Sequence, residues 1–189
     1  MAHINKLNYK KDFKNLKSDI TAKGIFEDEK HWTISSGQMK GKVGDLAFSF
    51  DKNEKVLFFG LGKKKDVKPE DFRRAAGSIV NFVIDKKYAS LAVECPSSGM
   101  DAYNCQAFSE GLILASYRFL DYFSDERADY HLKNITMVGT CNKNASKKGA
   151  IIASAVCDSR DLANHPGNIT TPTRLANFAK EVGKKGNMK

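Results

Sequence analysis

The chain has 189 residues, a formal net charge of +9, 41% hydrophobic residues, 4 Cys and 4 Pro. The apolar content is too high for a disordered chain, and the composition shows neither a collagen period nor the cysteine density of a disulfide scaffold. At roughly 100–200 residues per domain, this length corresponds to one domain, or to one domain and part of another.

The first 40 residues carry the weakest pattern. Residues 4–9 predict an edge strand, Phe13, Leu16 and Ile20 a short helix, and residues 31–34 a strand or a buried loop. Residues 45–50 place aromatics at period two, and residues 55–61 form a compact apolar run suited to a buried central strand. The polar residues between them predict a hairpin. Pro69 then fits the first turn of a helix and Glu70 and Asp71 favour its N-terminus, with Phe72, Ala75, Ala76, Ile79, Val80 and Val83 on one face of residues 69–85.

Residues 88–95 predict a further strand, stopped by Pro96. Asp101 can cap a second helix whose stripe is Ala107, Phe108, Gly111, Leu112, Ala115 and Phe119. Residues 135–139 predict another strand. A third helix runs from about Ala145 into Leu162 with Ile151, Ile152, Ala155 and Val156 inward. The breaker cluster Asn164-His-Pro-Gly-Asn168 follows, and residues 172–183 open a new helix with Leu175, Phe178, Ala179 and Val182 at helical spacing. Alternating strands and helices with one hairpin predict an α/β domain with a mixed, largely parallel sheet.

No side-chain constellation of known chemistry stands out. Cys95, Cys105, Cys141 and Cys157 share no Cys-x-x-Cys spacing, so neither a zinc site nor a redox pair is indicated, and four thiols suit a reducing compartment. His3, His31, His131 and His165 lack a second ligand at helical spacing. Gly60 and Gly62 followed by Lys63, Lys64 and Lys65 could cradle a phosphate, but the third glycine of a dinucleotide fingerprint and the Lys-Ser/Thr of a P-loop are missing. Asp125, Glu126 and Asp129, like Glu70 and Asp71, read as solvated acids or helix-dipole partners. The positive charge sits at the two ends, with +6 over residues 1–68 and +4 over residues 160–189. Polyanion binding and a surface covered by another part of a larger protein both account for that distribution.

Three strings in order carry a resemblance. Ser159-Arg-Asp-Leu-Ala-Asn-His-Pro-Gly-Asn-Ile-Thr-Thr-Pro172 resembles the Arg-Asp-Leu-x-Asn-x-Pro-x-Asn-x-x-Thr-Pro segment of the leucyl (cytosol) aminopeptidase family. Gln38-Met-Lys-Gly-Lys-Val-Gly-Asp45 with Phe59-Gly-Leu-Gly-Lys63 is similar to the family's Phe-Lys-Gly-Lys-x-Gly-Glu and Val-Gly-Leu-Gly-Lys. Glu110-Gly-Leu-Ile-Leu-Ala-Ser-Tyr-Arg-Phe119 is similar to its Glu-Gly-x-x-Leu-x-x-Tyr-Arg-Phe. His165 stands where the family commonly has Thr, and Phe123 where it often has Lys.

The resemblance implies a macro-domain-like three-layer α/β domain over residues 1–145, a linker helix and turn over 146–168, and the start of a catalytic domain over 169–189. It implies a cytoplasmic, hexameric parent that removes N-terminal amino acids, leucine preferred, from peptides with two divalent metals (zinc, manganese or magnesium). The family's metal ligands lie in the later domain, and no position here matches them. The implied site assignment is therefore no catalytic, cofactor or metal residue within residues 1–189, and no cofactor in this part. The implied partners are the catalytic domain and sister subunits, and no membrane. Two alternatives remain open: nucleic-acid binding through the basic surface, and a nucleotide or ADP-ribose module with residues 60–65 near the phosphates.

Overall fold

The computed structural model describes all residues except 1, 2, 5, 52, 53, 97–100, 125–129 and 189, and gives only the backbone of Asp51 and Lys185. Six strands, β1 (Asn8–Lys10), β2 (Ile20–Ile25), β3 (Leu46–Asp51), β4 (Glu54–Gly60), β5 (Ser90–Glu94) and β6 (Asn134–Val138), form one sheet in the order β1-β6-β5-β2-β4-β3. Every pairing is parallel except the β3–β4 hairpin, where Asp51 stands opposite Glu54. The helices are α1 (Trp32–Ser35), α2 (Pro69–Asp85), α3 (Ala102–Ser116), α4 (Lys143–Asn164) and α5 (Pro172–Lys185).

The direction of travel across the sheet decides which face each connection covers. The steps β4–α2–β5 and β5–α3–β6 both move toward the β1 edge, so right-handed crossovers put α2 and α3 on the same face. There α2 packs on α3, and α3 on α4. The steps β1–β2 and β2–β4 move the other way, which sends residues 11–19 and 26–45 over the opposite face. Lys23 of β2 accordingly lies with its ammonium 5.9 Å from the centre of the Phe13 ring. Ile25, Met39, Ala47, Val56 and Phe58 form a small cluster on that side, with Ile34 against it.

The main core lies between the sheet and the helices. Phe59 of β4 stacks on Phe108 of α3 at 5.9 Å, and Phe108 meets Phe72 of α2 edge-on at 6.3 Å. All three rings are fully buried, and each such burial contributes roughly 1.5–3 kcal/mol. Two glycines set the helix spacing. A Cβ at Gly111 would stand 2.4 Å from the Arg73 carbonyl oxygen of α2, and a Cβ at Gly149 would stand 2.4 Å from the Gln106 carbonyl oxygen of α3.

That second close approach corrects the expected inner face of α4. Its buried residues are Ser146, Gly149, Ala153, Cys157 and Asp161. Ile151, Ile152 and Val156 point outward, with Ile151 71% exposed. A helix lying this near α3 can turn only small side chains toward it, so its larger apolar residues take the outer surface.

The N-terminal third also departs from expectation. Ile20 belongs to β2, a central strand, and Phe13 and Leu16 lie in a loop rather than on a helix. Asn15 there has φ of 57°, which interrupts a right-handed helix. Residues 31–34 fall in a single helical turn capped by His31, whose ring nitrogen accepts from the Thr33 N–H. Phe119 lies beyond the end of α3, edge-on to Tyr122 and His165. No helix among the described residues is long and apolar enough to cross a membrane.

Candidate functional site

The matching strings of the sequence meet one another in pairs. At the exit of β4, the chain folds against the turn at residues 41–44. The Gly62 N–H donates to the Gly41 carbonyl at 2.9 Å, the Gly44 N–H to the Gly60 carbonyl at 3.3 Å, and the Gly60 N–H to the Asp45 carbonyl at 2.9 Å. A Cβ at Gly60 would lie 2.0 Å from the Lys42 carbonyl oxygen, and Gly41, Gly44 and Gly62 all have positive φ. Glycine is required because two backbones touch here.

This contact corrects the phosphate-cradle reading of residues 60–65. The Leu61 N–H donates to the Ile25 carbonyl at 3.0 Å, and the Lys64 N–H to Asp28 Oδ1 at 3.1 Å. The amides of Gly60, Leu61, Gly62 and Lys64 are thus engaged within the fold, leaving no ring of N–H groups for an anion.

The second pair joins the ends of α3 and α4. The Tyr117 hydroxyl donates to Asp161 Oδ1 at 2.9 Å and accepts from Asn164 Nδ2 at 2.9 Å. The Arg160 guanidinium lies 5.6 Å from the Tyr117 ring centre and donates to the Leu114 carbonyl at 3.2 Å. Burial, followed by the Asp161 carboxylate, pushes the Tyr117 phenol above its ordinary value, although the Asn164 hydrogen bond opposes this. Asp161 is 4% exposed, and its Oδ2 has no hydrogen-bond partner. Just beyond, the Tyr122 hydroxyl and His165 Nδ1 are 2.8 Å apart, and His165 Nε2 is 3.5 Å from Asp121. Thr170 Oγ1 returns to the Leu162 carbonyl at 3.1 Å.

Glu110, which opens the third string, is buried where α2 crosses α3. Its carboxylate accepts from Arg73 Nε at 3.1 Å, Arg73 Nη2 at 2.7 Å and Gln106 Nε2 at 2.8 Å. Those bonds to Glu110 raise the Arg73 pKa further. The strings therefore consist of groups that fasten backbone to backbone and helix to helix. Glu70 pairs with Arg73, and Asp71 accepts from the Lys68 N–H at 2.9 Å, so both acids serve the start of α2. Asp125, Glu126 and Asp129 lie outside the described residues.

A separate cavity of about 590 Å³ opens at the carboxyl ends of β1, β5 and β6, lined by Lys11, Phe13, Glu94, Cys95, Gly139 and Thr140. This is where open α/β sheets admit ligands. Burial raises the Glu94 pKa, partly offset by Lys23. Near the cavity, Cys95 directly follows β5, Cys141 follows β6, and the Asn142 N–H donates to Cys105 Sγ of α3 at 3.2 Å. Sequence reasoning missed this grouping because no local spacing connects positions 95, 105 and 141; only the sheet register brings them together. Among the described residues, no three His, Cys, Asp or Glu are arranged to hold a metal ion.

Comparison with known proteins decides the family. The sequence profile of the cytosol aminopeptidase family, N-terminal domain, matches residues 27–126. The chain belongs to the cytosol aminopeptidase family. A probable cytosol aminopeptidase of Mycobacterium bovis (strain BCG / Pasteur 1173P2) is 38% identical over 134 residues, covering 67% of this chain and 25% of the relative. One from Clostridium perfringens (strain 13 / Type A) is 30% identical over 164 residues, covering 78% of this chain and 33% of the relative. The chain thus spans only a quarter to a third of these relatives. The fold is that of a tomato leucine aminopeptidase mutant, with a TM-score of 0.76, 19% identity and coverage of 97% of this chain and 43% of that one. It is also that of the bottromycin maturation enzyme BotP, with a TM-score of 0.79, 24% identity and coverage of 92% and 38%. The family profile spans the strings at 38–45, 59–63 and 110–119, so what it matches includes the glycine contact at the exit of β4 and the Arg73–Glu110 pair, while the string at 159–172 lies beyond it.

Proposed function

We propose that this chain is the non-catalytic N-terminal portion of a cytosol (leucyl) aminopeptidase, a two-metal exopeptidase that removes N-terminal amino acids, leucine preferred, from peptides. The observation that carries this reading is the family match over residues 27–126 in relatives of which the chain spans only 25–33%. In this reading residues 1–145 are the α/β domain, 146–168 lead out of it and 169–189 open the catalytic domain. No catalytic or metal-binding residue is assigned within residues 1–189. In this reading the two divalent ions (zinc, manganese or magnesium) belong to the catalytic domain, as the family resemblance implies. The parent is assigned to the cytoplasm and to a homohexamer.

The outer surfaces of α4 and α5 support this role. Ile151, Leu175 and Val182 are exposed there, and a cavity of about 1130 Å³ runs between the β1 segment, α4 and α5. Apolar side chains in that arrangement suit a covering by the catalytic domain. The test is release of leucine from a chromogenic leucyl amide in the presence of manganese. The 189-residue chain is expected to give none and the longer parent to turn over; clear turnover by the chain alone overturns the reading.

A further inference from the structure

The two edges of the sheet are built differently. The β1 edge is only Asn8-Tyr-Lys10, and Lys10 is exposed. Shortness and an exposed lysine keep an edge from pairing with another chain. The β3 edge, Leu46-Ala-Phe-Ser-Phe-Asp51, keeps one unbroken antiparallel register with β4 and contains no Lys, no Pro and no bulge. It displays aromatic rings instead: Phe48 is 44% exposed and Phe50 62% exposed. Phe48 rests against Phe82 of α2 with ring centres 5.9 Å apart, so it stands on the helix face of the sheet. Phe50, two residues on, stands on the same face.

The ladder fixes which backbone groups of this edge are free. The Gly60 N–H donates to the Asp45 carbonyl at 2.9 Å. Bonded and non-bonded pairs alternate along an antiparallel ladder, so residues 47, 49 and 51 turn their N–H and C=O toward β4. Leu46, Phe48 and Phe50 turn theirs away from it. Strand β3 ends the sheet, so no strand among the described residues meets that outward row.

We propose that the β3 edge pairs with the β3 edge of a second copy of this chain, antiparallel about a two-fold axis at Ser49, so that two six-stranded sheets join into one. A two-fold axis normal to the sheet keeps every residue on its own face and has to pass through a residue. Centred on Ser49, it sets Phe48 opposite Phe50 of the second copy, twice, and the outward N–H and C=O groups of residues 48 and 50 bond one another. Such aromatic cross-strand pairs are among the favourable ones. An axis at Phe48 would leave Phe50 against Leu46, and one at Phe50 would shorten the overlap to residues 49–51.

The second copy fits because the edge is complementary to itself: the two rings that need covering, on one face and two residues apart, are also the two rings that cover them. An aromatic residue carries roughly 150–250 Å², so the exposed parts of Phe48 and Phe50 amount to about 200 Å² per copy. With the strand backbones, the pairing covers about 1,000 Å² in total, the low end for a specific interface. The dimer is therefore weak and depends on concentration. The groove lined by the β1 segment, α4 and α5 lies at the other edge of the sheet, so the pairing leaves it free.

The test is sedimentation velocity of the 189-residue chain from about 1 µM to about 500 µM, in about 0.3 M salt to screen the +9 charge of each copy. The expected result is a monomer that becomes a dimer as concentration rises. Phe50→Lys should hold the chain monomeric with an unchanged thermal midpoint, and Val182→Lys on α5 should leave the dimer intact. Amide exchange reads the same contact: the N–H groups of Phe48 and Phe50 should slow with concentration, and that of Ser49, already turned to β4, should not. Ser49→Cys should give a disulfide-linked dimer through position 49 under mild oxidation, because a non-bonded antiparallel pair brings the Cα atoms to about 4.5 Å. A chain that stays monomeric throughout, or a dimer that survives Phe50→Lys and is lost in Val182→Lys, would overturn the proposal.

Discussion

Helices α2 and α5 are both amphipathic, yet they meet opposite fates. In α2, Phe72, Ala75, Ala76, Ile79, Val80 and Val83 are all fully buried. In α5, Leu175 is 45% exposed and Val182 41% exposed, although they recur at the same helical spacing. Periodicity states that a face is apolar; it does not state what covers it. Helix α2 lies on a sheet whose crossover hand puts it there, whereas α5 comes after the last strand and outside that constraint. Helix α4 stands between the two. Its small residues face α3 and its branched ones face out, so one helix serves the core with one side and the outer surface with the other.

This contrast can be probed by mutation, from the core outward. Phe72→Ala removes a fully buried ring between α2 and α3 and should destabilise the chain by about 3–5 kcal/mol in denaturant unfolding. Gly149→Val drives a side chain into the Gln106 carbonyl and should cost about 1–3 kcal/mol as α4 is pushed from α3; no loss would mean that the α3–α4 spacing is slack. Tyr117→Phe withdraws the hydroxyl between Asp161 and Asn164. It should cost about 1–2 kcal/mol, because a buried carboxylate oxygen loses its donor. Val182→Ala on α5 should stay within about 0.5 kcal/mol of the wild type in this chain. If α5 is covered in the longer parent, the same substitution should cost clearly more there, and equal small effects in both would break the contrast.

Much of the frame was legible in the residues. The hairpin of β3 and β4, the capped helices α2 and α3 and the strand β6 all announced themselves by period and punctuation. Strand β2 did not. Ile-Thr-Ala-Lys-Gly-Ile is short and carries Lys23 and Gly24, so it lacks the branched run of a central strand. Its glycine is explained by its neighbours, because a Cβ at Gly24 would lie 3.1 Å from the side chains of Phe59 and Leu61. The short helix expected at Phe13 and Leu16 failed for the related reason that those residues serve the far face of the sheet as a loop.

The sequence by itself determined the alternation of strands and helices, the family strings and the apolar faces of α2 and α3, because these depend on local period and on residues close in the chain. Tertiary structure alone decided that β2 is central, that α4 turns its small residues inward and that Gly60 and Gly62 press against Gly41 and Lys42. It also brought Cys95, Cys105 and Cys141 together. Each of these depends on contacts between distant segments, and such contacts are set by crossover hand, register and close approach of backbones rather than by any local pattern. The exposed stripe of α5 is legible in sequence, but only the fold leaves it uncovered in this chain.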